Sequence, residues 1–197
     1  MPRPLQNRVL ATGDIIAHPA RGRFMGNRGI LHDAEQKLGA ARWRHKAWVT
    51  CVLKWKDWHR DVMTPGAYTE LFFLDEAVAL AAGHRPCALC RNADYKAYRA
   101  AANLTGSAPE MDAVLHAERA IPRRFKQRRY EAQADTLPDG TILLDSLPKL
   151  VLGDMLYPVS AAGYGPPEAR RSGVVTVLTP PMTRRALDNG YQPTLAI

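Results

Sequence analysis

Cys87-Ala88-Leu89-Cys90 places two of the chain's three cysteines at the spacing of a metal knuckle. Two thiolates one turn apart can reach a single tetrahedral Zn²⁺ at S–Zn distances of roughly 2.3 Å. Pro86 fixes the approach of the chain, and Arg85 and Arg91 favour the thiolate over the thiol. The same spacing serves thioredoxin-like redox chemistry, but that chemistry needs a preceding strand in a βαβ unit, and residues 74–82 read as a helix. Cys51 is the expected third ligand. His59, His84, His32 and His116 compete for the fourth position. His59 is favoured because it falls on the same predicted hairpin as Cys51; His84, three residues before the knuckle, is the alternative. A fourth position left to water would convert a structural site into a catalytic one.

Other residues could carry hydrolytic chemistry. Zinc deaminases combine H-x-E with P-C-x-x-C, the Glu shuttling protons. Both pieces are here, as His116-Ala117-Glu118 and Pro86 to Cys90, but in the opposite order. His116 and Glu118 are therefore the catalytic candidates of a deaminase-like reading. A metal-dependent nuclease would draw on His32-Asp33, His45 or His59, with no complete HNH-like pattern around them.

Two basic stretches are suited to phosphate. Residues 21–29, R-G-R-F-M-G-N-R-G, put Arg21, Arg23 and Arg28 among glycines that let a backbone come close, with Phe24 free to stack. The stretch lacks the Lys-Ser/Thr of a Walker loop. Residues 123–130 hold Arg123, Arg124, Lys126, Arg128 and Arg129 between Phe125 and Tyr130. Interleaved cations and aromatics are the pattern of a nucleic-acid surface; the alternative is a solvated charge run.

The elements that must position these residues follow from periodicity and punctuation. Residues 1–46 show little apolar period and many arginines. Residues 47–55 and 58–63 predict a hairpin around Lys56-Asp57, carrying Cys51 and His59. A strand over 68–73 follows. Asp75 is placed to N-cap a helix ending at Ala82, with Gly83 as its C′ residue. A second helix is expected from about Cys87 to Ala102, and a third over 110–121 that Pro122 stops. Beyond Leu137 the pattern is β: a strand at 141–144, a hairpin of 149–152 with 155–159 around Gly153-Asp154, and a strand at 174–178. A short helix over 182–189 comes last.

The run from Leu71 to Arg91, LFFLDEAVALAAGHRPCALCR, resembles the second half of the zinc domain of the bacterial Ada methylphosphotriester-repair family. An aromatic strand, an Ala-rich helix, Gly, Arg-Pro and C-x-x-C occur in the same register, and the likeness extends over residues 68–95. It implies a zinc fold and DNA as the partner. In that family an upstream C-x-x-x-C pair completes a four-cysteine site, and one thiolate takes a methyl group from DNA phosphate. Only Cys51 lies upstream here, without the acceptor's C-R-P-x-C context, so it is expected to be a ligand or a core thiol rather than a methyl acceptor.

Composition bounds the rest. With 27 Lys and Arg against 19 Asp and Glu, the formal charge is +8, which favours a polyanionic partner. No apolar run reaches the ~20 residues of a membrane span, and Met1-Pro2-Arg3-Pro4 lacks the apolar core of a secretory signal. Three cysteines, two at metal spacing, fit a reducing compartment, the cytoplasm by default. The expected class is α+β: a zinc-stapled, treble-clef-like hairpin-plus-helix module with a small C-terminal β-sheet. The divisions are a basic segment 1–46, the zinc module 47–105, a helix and basic linker 106–135, and a β-rich region 136–197. The expected function is a Zn²⁺-containing protein that binds nucleic acid, DNA in particular, in repair or modification. The alternative is a zinc-dependent nuclease or nucleobase deaminase.

Overall fold

The structure, a computed structural model, describes residues 3–197. Short apolar runs cut by Gly, Pro and Asn give short strands and few helices. In order these are β1 (Gln6–Val9), β2 (Ile15–Ala17), β3 (Phe24–Asn27), β4 (Val49–Cys51), β5 (Leu71–Phe73), α1 (Glu76–Ala81), β6 (Arg85–Pro86), α2 (Asn92–Ala101) and α3 (Ala108–Arg119). There follow β7 (Ala120–Ile121), β8 (Lys126–Gln127), β9 (Tyr130–Gln133), β10 (Ile142–Asp145), β11 (Leu147–Leu152), β12 (Met155–Pro158), β13 (Glu168–Ala169), β14 (Val174–Val177) and α4 (Pro181–Asp188). The class is α+β. No helix of the described residues is long and apolar enough to cross a membrane.

One sheet has the order β2-β1-β5-β3-β4-β6 and is mixed, with β1 parallel to β5 and β4 parallel to β6. The other, β13-β12-β11-β10-β14-β9, is antiparallel throughout, and β7 and β8 form a separate hairpin. The segment 1–46, which has little apolar period, supplies β1, β2 and β3, because strands of three or four residues are too short to display one. The second limb of the predicted 47–63 hairpin is absent. β4 pairs with β3 on one side and with β6 on the other, and residues 52–70 hold no strand. The second helix starts at Asn92 rather than Cys87, since the knuckle turn takes up the intervening residues. The predicted linker contains β9, whose Tyr130 and Ala132 pack against Leu143 and Val177.

α1 lies between the two sheets. Its cap is the expected one: Val78 N–H donates to Asp75 Oδ1 at 3.0 Å, and Gly83 follows at φ +83°, a conformation that favours glycine. Every residue from Glu76 to Ala81 is buried. Ala79 packs with Leu71 and Phe73 of the first sheet, while Ala77, Val78 and Ala81 pack with Ile142, Leu150 and Leu178 of the second. Leu80 meets Tyr98, Leu115 and Met182 on a third side. A helix approached from all sides needs small residues, which is why three of its six residues are alanine, or carboxylates that the fold can satisfy.

Two carboxylates are buried at its N-terminus. Asp75 Oδ2 accepts from Tyr164 Oη at 2.6 Å and from Ala196 N at 2.9 Å. Glu76 Oε1 accepts from Tyr191 Oη at 2.6 Å and pairs with Arg91 at 2.7 Å, and Oε2 accepts from Thr194 N at 3.0 Å. Burial pushes the Asp75 pKa up despite these donors. Removing one partner of a buried pair leaves the other charge uncompensated. Glu76→Ala should therefore cost about 3–5 kcal/mol, and Tyr191→Phe only about 1 kcal/mol, in urea denaturation. A smaller loss for Glu76→Ala than for Tyr191→Phe would remove this pair from its central place.

Candidate metal centre

The parallel pairing of β4 with β6 brings the cysteines together. Val49 lies opposite Arg85 and Thr50 opposite Pro86, so the next residues, Cys51 and Cys87, meet. Cys87 N–H donates to Thr50 C=O at 2.9 Å and fixes that register one step beyond the strands. The chain then turns tightly, with Arg91 N–H donating to Cys87 C=O at 3.1 Å and Leu89 N–H to Cys87 Sγ at 3.4 Å. Cys90 is thereby folded back onto the other two. The three Sγ atoms all lie within 4.8 Å of one another, and the three thiols are free and half-buried. Sulfurs on a tetrahedral zinc at bond lengths of ~2.3 Å stand roughly 3.8 Å apart, a separation this cluster reaches with small side-chain shifts.

The electrostatics suit a cation. The Cys51 thiol donates to Cys87, which holds the Cys87 pKa down at about 5. The same hydrogen bond, with burial, pushes Cys51 far up, and burial pushes Cys90 up against the pull of Val52 N–H. Three sulfurs this close do not all ionise unless positive charge joins them. Backbone N–H groups aimed at sulfur are the supporting shell of thiolate–metal sites.

The sulfurs face a cleft of about 340 Å³ lined also by Trp55, Trp58, His59, Tyr68 and Phe72. His59 is thus on the cleft wall, but neither of its ring nitrogens lies within 4.8 Å of all three sulfurs. His84 takes no part. Its fully buried ring accepts from Arg28 Nε at 3.3 Å and lies edge-on to Phe73, outside the sulfur cluster. His32 is bound to Thr69 Oγ1 at 2.6 Å.

The deaminase pieces are not assembled. His116 sits edge-on to Trp43 and Trp48, whereas Glu118 accepts from Met182 N–H at 2.8 Å at the start of α4. Neither belongs to the sulfur cluster. Sequence reasoning missed the aromatic walls of the cleft, although Trp55 and Trp58 flank the predicted turn.

Of the predicted phosphate contacts, Arg21, Arg23, Arg123, Arg124, Lys126, Arg128 and Arg129 are exposed, and none is in an ion pair among the described residues. Arg28 is the exception: at 1% exposure it belongs to the interior and not to the exposed basic surface. The run 123–129 is displayed on the β7–β8 hairpin and the turn that follows it. Compared with protein-family models, curated proteins and solved structures, the chain matches none.

His84 makes the fold acid-sensitive. Burial, then the Arg28 and Arg119 charges, hold its pKa well below 6.5, and His116 is held down at about 4 by burial and by Arg119 and Lys46. The unfolded chain takes up these protons near pH ~6.5 and the folded chain does not. Stability is therefore full above that pH and falls below it, by up to about 1.4 kcal/mol per pH unit for the fully buried His84 and by less for His116, whose ring is partly solvent-screened. Urea unfolding at pH 7.5 and 5.5 should show the loss, and His84→Asn should flatten it. An unchanged pH dependence in His84→Asn would contradict the assignment.

Proposed function

We propose that this is a zinc-binding protein that engages nucleic acid, DNA in particular, through a cationic surface, with a role in repair or modification. The observation that carries the reading is the convergence of Cys51, Cys87 and Cys90 from two chain segments within 4.8 Å. Thiolate-rich donors select soft or borderline ions, and three thiolates with one open or imidazole position are a zinc set. A redox dithiol would need only Cys87 and Cys90 and gives no account of the third sulfur. In this reading β4, the knuckle and α2 form the treble-clef-like, Ada-like module, and His59 or a solvent molecule takes the fourth position. The exposed cations of residues 123–129 and the aromatics beside the sulfurs supply phosphate and stacking contacts.

A second reading is favoured by the cleft itself. An open fourth position facing about 340 Å³ of mostly apolar space is also what a zinc hydrolase requires. X-ray absorption separates the two: three sulfurs with one nitrogen supports the structural site, three sulfurs with an exchangeable oxygen the enzyme.

Purified protein should carry one Zn²⁺ per chain by elemental analysis, and Cys87→Ser or Cys90→Ser should lose the metal and lower the melting temperature, because metal binding is folding free energy. Metal-free protein with three freely titratable thiols would sink the proposal. Binding to single- or double-stranded DNA should weaken steeply between low and high salt as counterions are released. Replacing Arg123, Arg124, Arg128 and Arg129 with Ala should reduce affinity for all sequences alike and flatten the salt slope. Salt-independent binding would contradict the surface assignment.

A further inference from the structure

A second cleft, of about 520 Å³, shares no lining residue with the sulfur cleft. Its inner wall is made by Arg28 and Arg119, which are 1% and 0% exposed. Both guanidinium groups lie over the Trp48 ring, 4.2 and 4.1 Å from its centroid. Arg28 donates to His84 Nε2, Gly13 C=O and Ala82 C=O, each at 3.3 Å. Arg119 donates to the carbonyls of Gly83 and Lys46, and its Nε has no partner. Among the described residues neither has a carboxylate within ion-pair distance. The buried Arg85 and Arg91, by contrast, hold Asp112 and Glu76 at 2.7 Å each. Two adjacent buried cations without counter-charge are costly, and burial pushes both down to about 9.

The mouth adds more positive charge. Arg42, Lys126 and Arg129 line it, and Asp14 is its single carboxylate. Aromatic rings form the remaining wall: Trp43 stands 4.9 Å from Phe125 and 5.3 Å from Trp48, centroid to centroid. A small inorganic anion would leave that wall unused, and an apolar ligand would leave the arginines unpaired. The volume suits a mononucleotide-sized ligand, within the roughly 300–1,000 Å³ of small-molecule sites, and is too confined for a duplex.

We propose that this cleft binds the phosphomonoester of a nucleotide, with the phosphate against Arg28 and Arg119 and the base against Trp43 and Phe125. The nucleotide is either free or the 5′-phosphorylated end of a strand. Bidentate guanidinium–phosphate pairing and ring stacking supply the two halves of recognition. The site shares Lys126 and Arg129 with the cationic surface proposed above but not the metal, and its inner wall of Arg28, Arg119, Trp43 and Phe125 belongs to it alone. Binding of a free mononucleotide is therefore read separately from metal content and from salt-dependent DNA binding.

The test uses the full chain, with calorimetry and the fluorescence of its tryptophans as readouts. Adenosine 5′-monophosphate should bind at least about tenfold more tightly than inorganic phosphate or adenosine alone. The exposed pair Lys126→Ala/Arg129→Ala, which leaves the interior intact, should weaken it by about tenfold, and Trp43→Leu should bring it towards the affinity of inorganic phosphate. Arg119→Ala should abolish binding, but since it can also unfold the chain the rim pair is the deciding variant. A 5′-phosphorylated oligodeoxyadenylate that binds more tightly than the mononucleotide and than its 5′-hydroxyl form assigns a strand end; the reverse order assigns the free nucleotide. No saturable binding of adenosine 5′-monophosphate, equal affinity for inorganic phosphate, or binding untouched in the rim pair would overturn the proposal.

Discussion

Two carboxylates at the start of a buried helix set the terms for the rest of this molecule. An ionised side chain taken out of water costs several kcal/mol unless it is paired and fully hydrogen-bonded. Asp75 and Glu76 are fully buried, and donors reach them from the 164 loop, the start of α2 and the 191–196 segment. The N-terminal end of the helix dipole favours negative charge in the same place. Because the donors come from distant parts of the chain, the pair dictates where each part sits. Arg91, one of the donors, immediately follows Cys90. The clamp that closes the core therefore also anchors one arm of the sulfur cluster.

The parallel pair β4–β6 connects the two clefts. At one end, Trp48 and His84 meet Arg28, which forms the inner wall of the cationic cleft. At the other end, Cys51 and Cys87 meet in the sulfur cluster. A few residues of paired backbone separate a site poor in positive charge from one with too much of it. His84, close to the knuckle in sequence, is drawn away from it by Arg28, whose Nε donates to its ring.

Local signals were legible in the sequence. Asp75 and Gly83 bracket α1 as capping chemistry requires, Gly153-Asp154 joins β11 to β12, and C-x-x-C with Cys51 gives the sulfur cluster. Features that depend on partners far along the chain were not legible. β1 to β3 are too short to show a period, and a hairpin limb over 58–63 has the right residue types but no neighbouring strand to pair with. Arg28, in a glycine-rich stretch that reads as surface, is buried because Trp48, His84 and Arg119 close over it, and nothing in the spacing of those four residues announces the contact. The Arg85–Asp112 pair is hidden for the same reason. Composition gave the excess of arginine but not its division between an exposed hairpin and an interior wall.

The clamp on α1 also bears on how the chain is made. Glu76 and Asp75 leave the ribosome 115 to 121 residues ahead of Tyr191, Thr194 and Ala196, the groups that satisfy them. Until those residues emerge, Asp75 and Glu76 lack part of their donor set, although Arg91, Tyr164 and both sheets are already made. Closure of the core around α1 therefore waits for the 191–196 segment. A stalled or prematurely terminated chain exposes an Ala-Val-Leu helix of the kind that chaperones and proteases recognise.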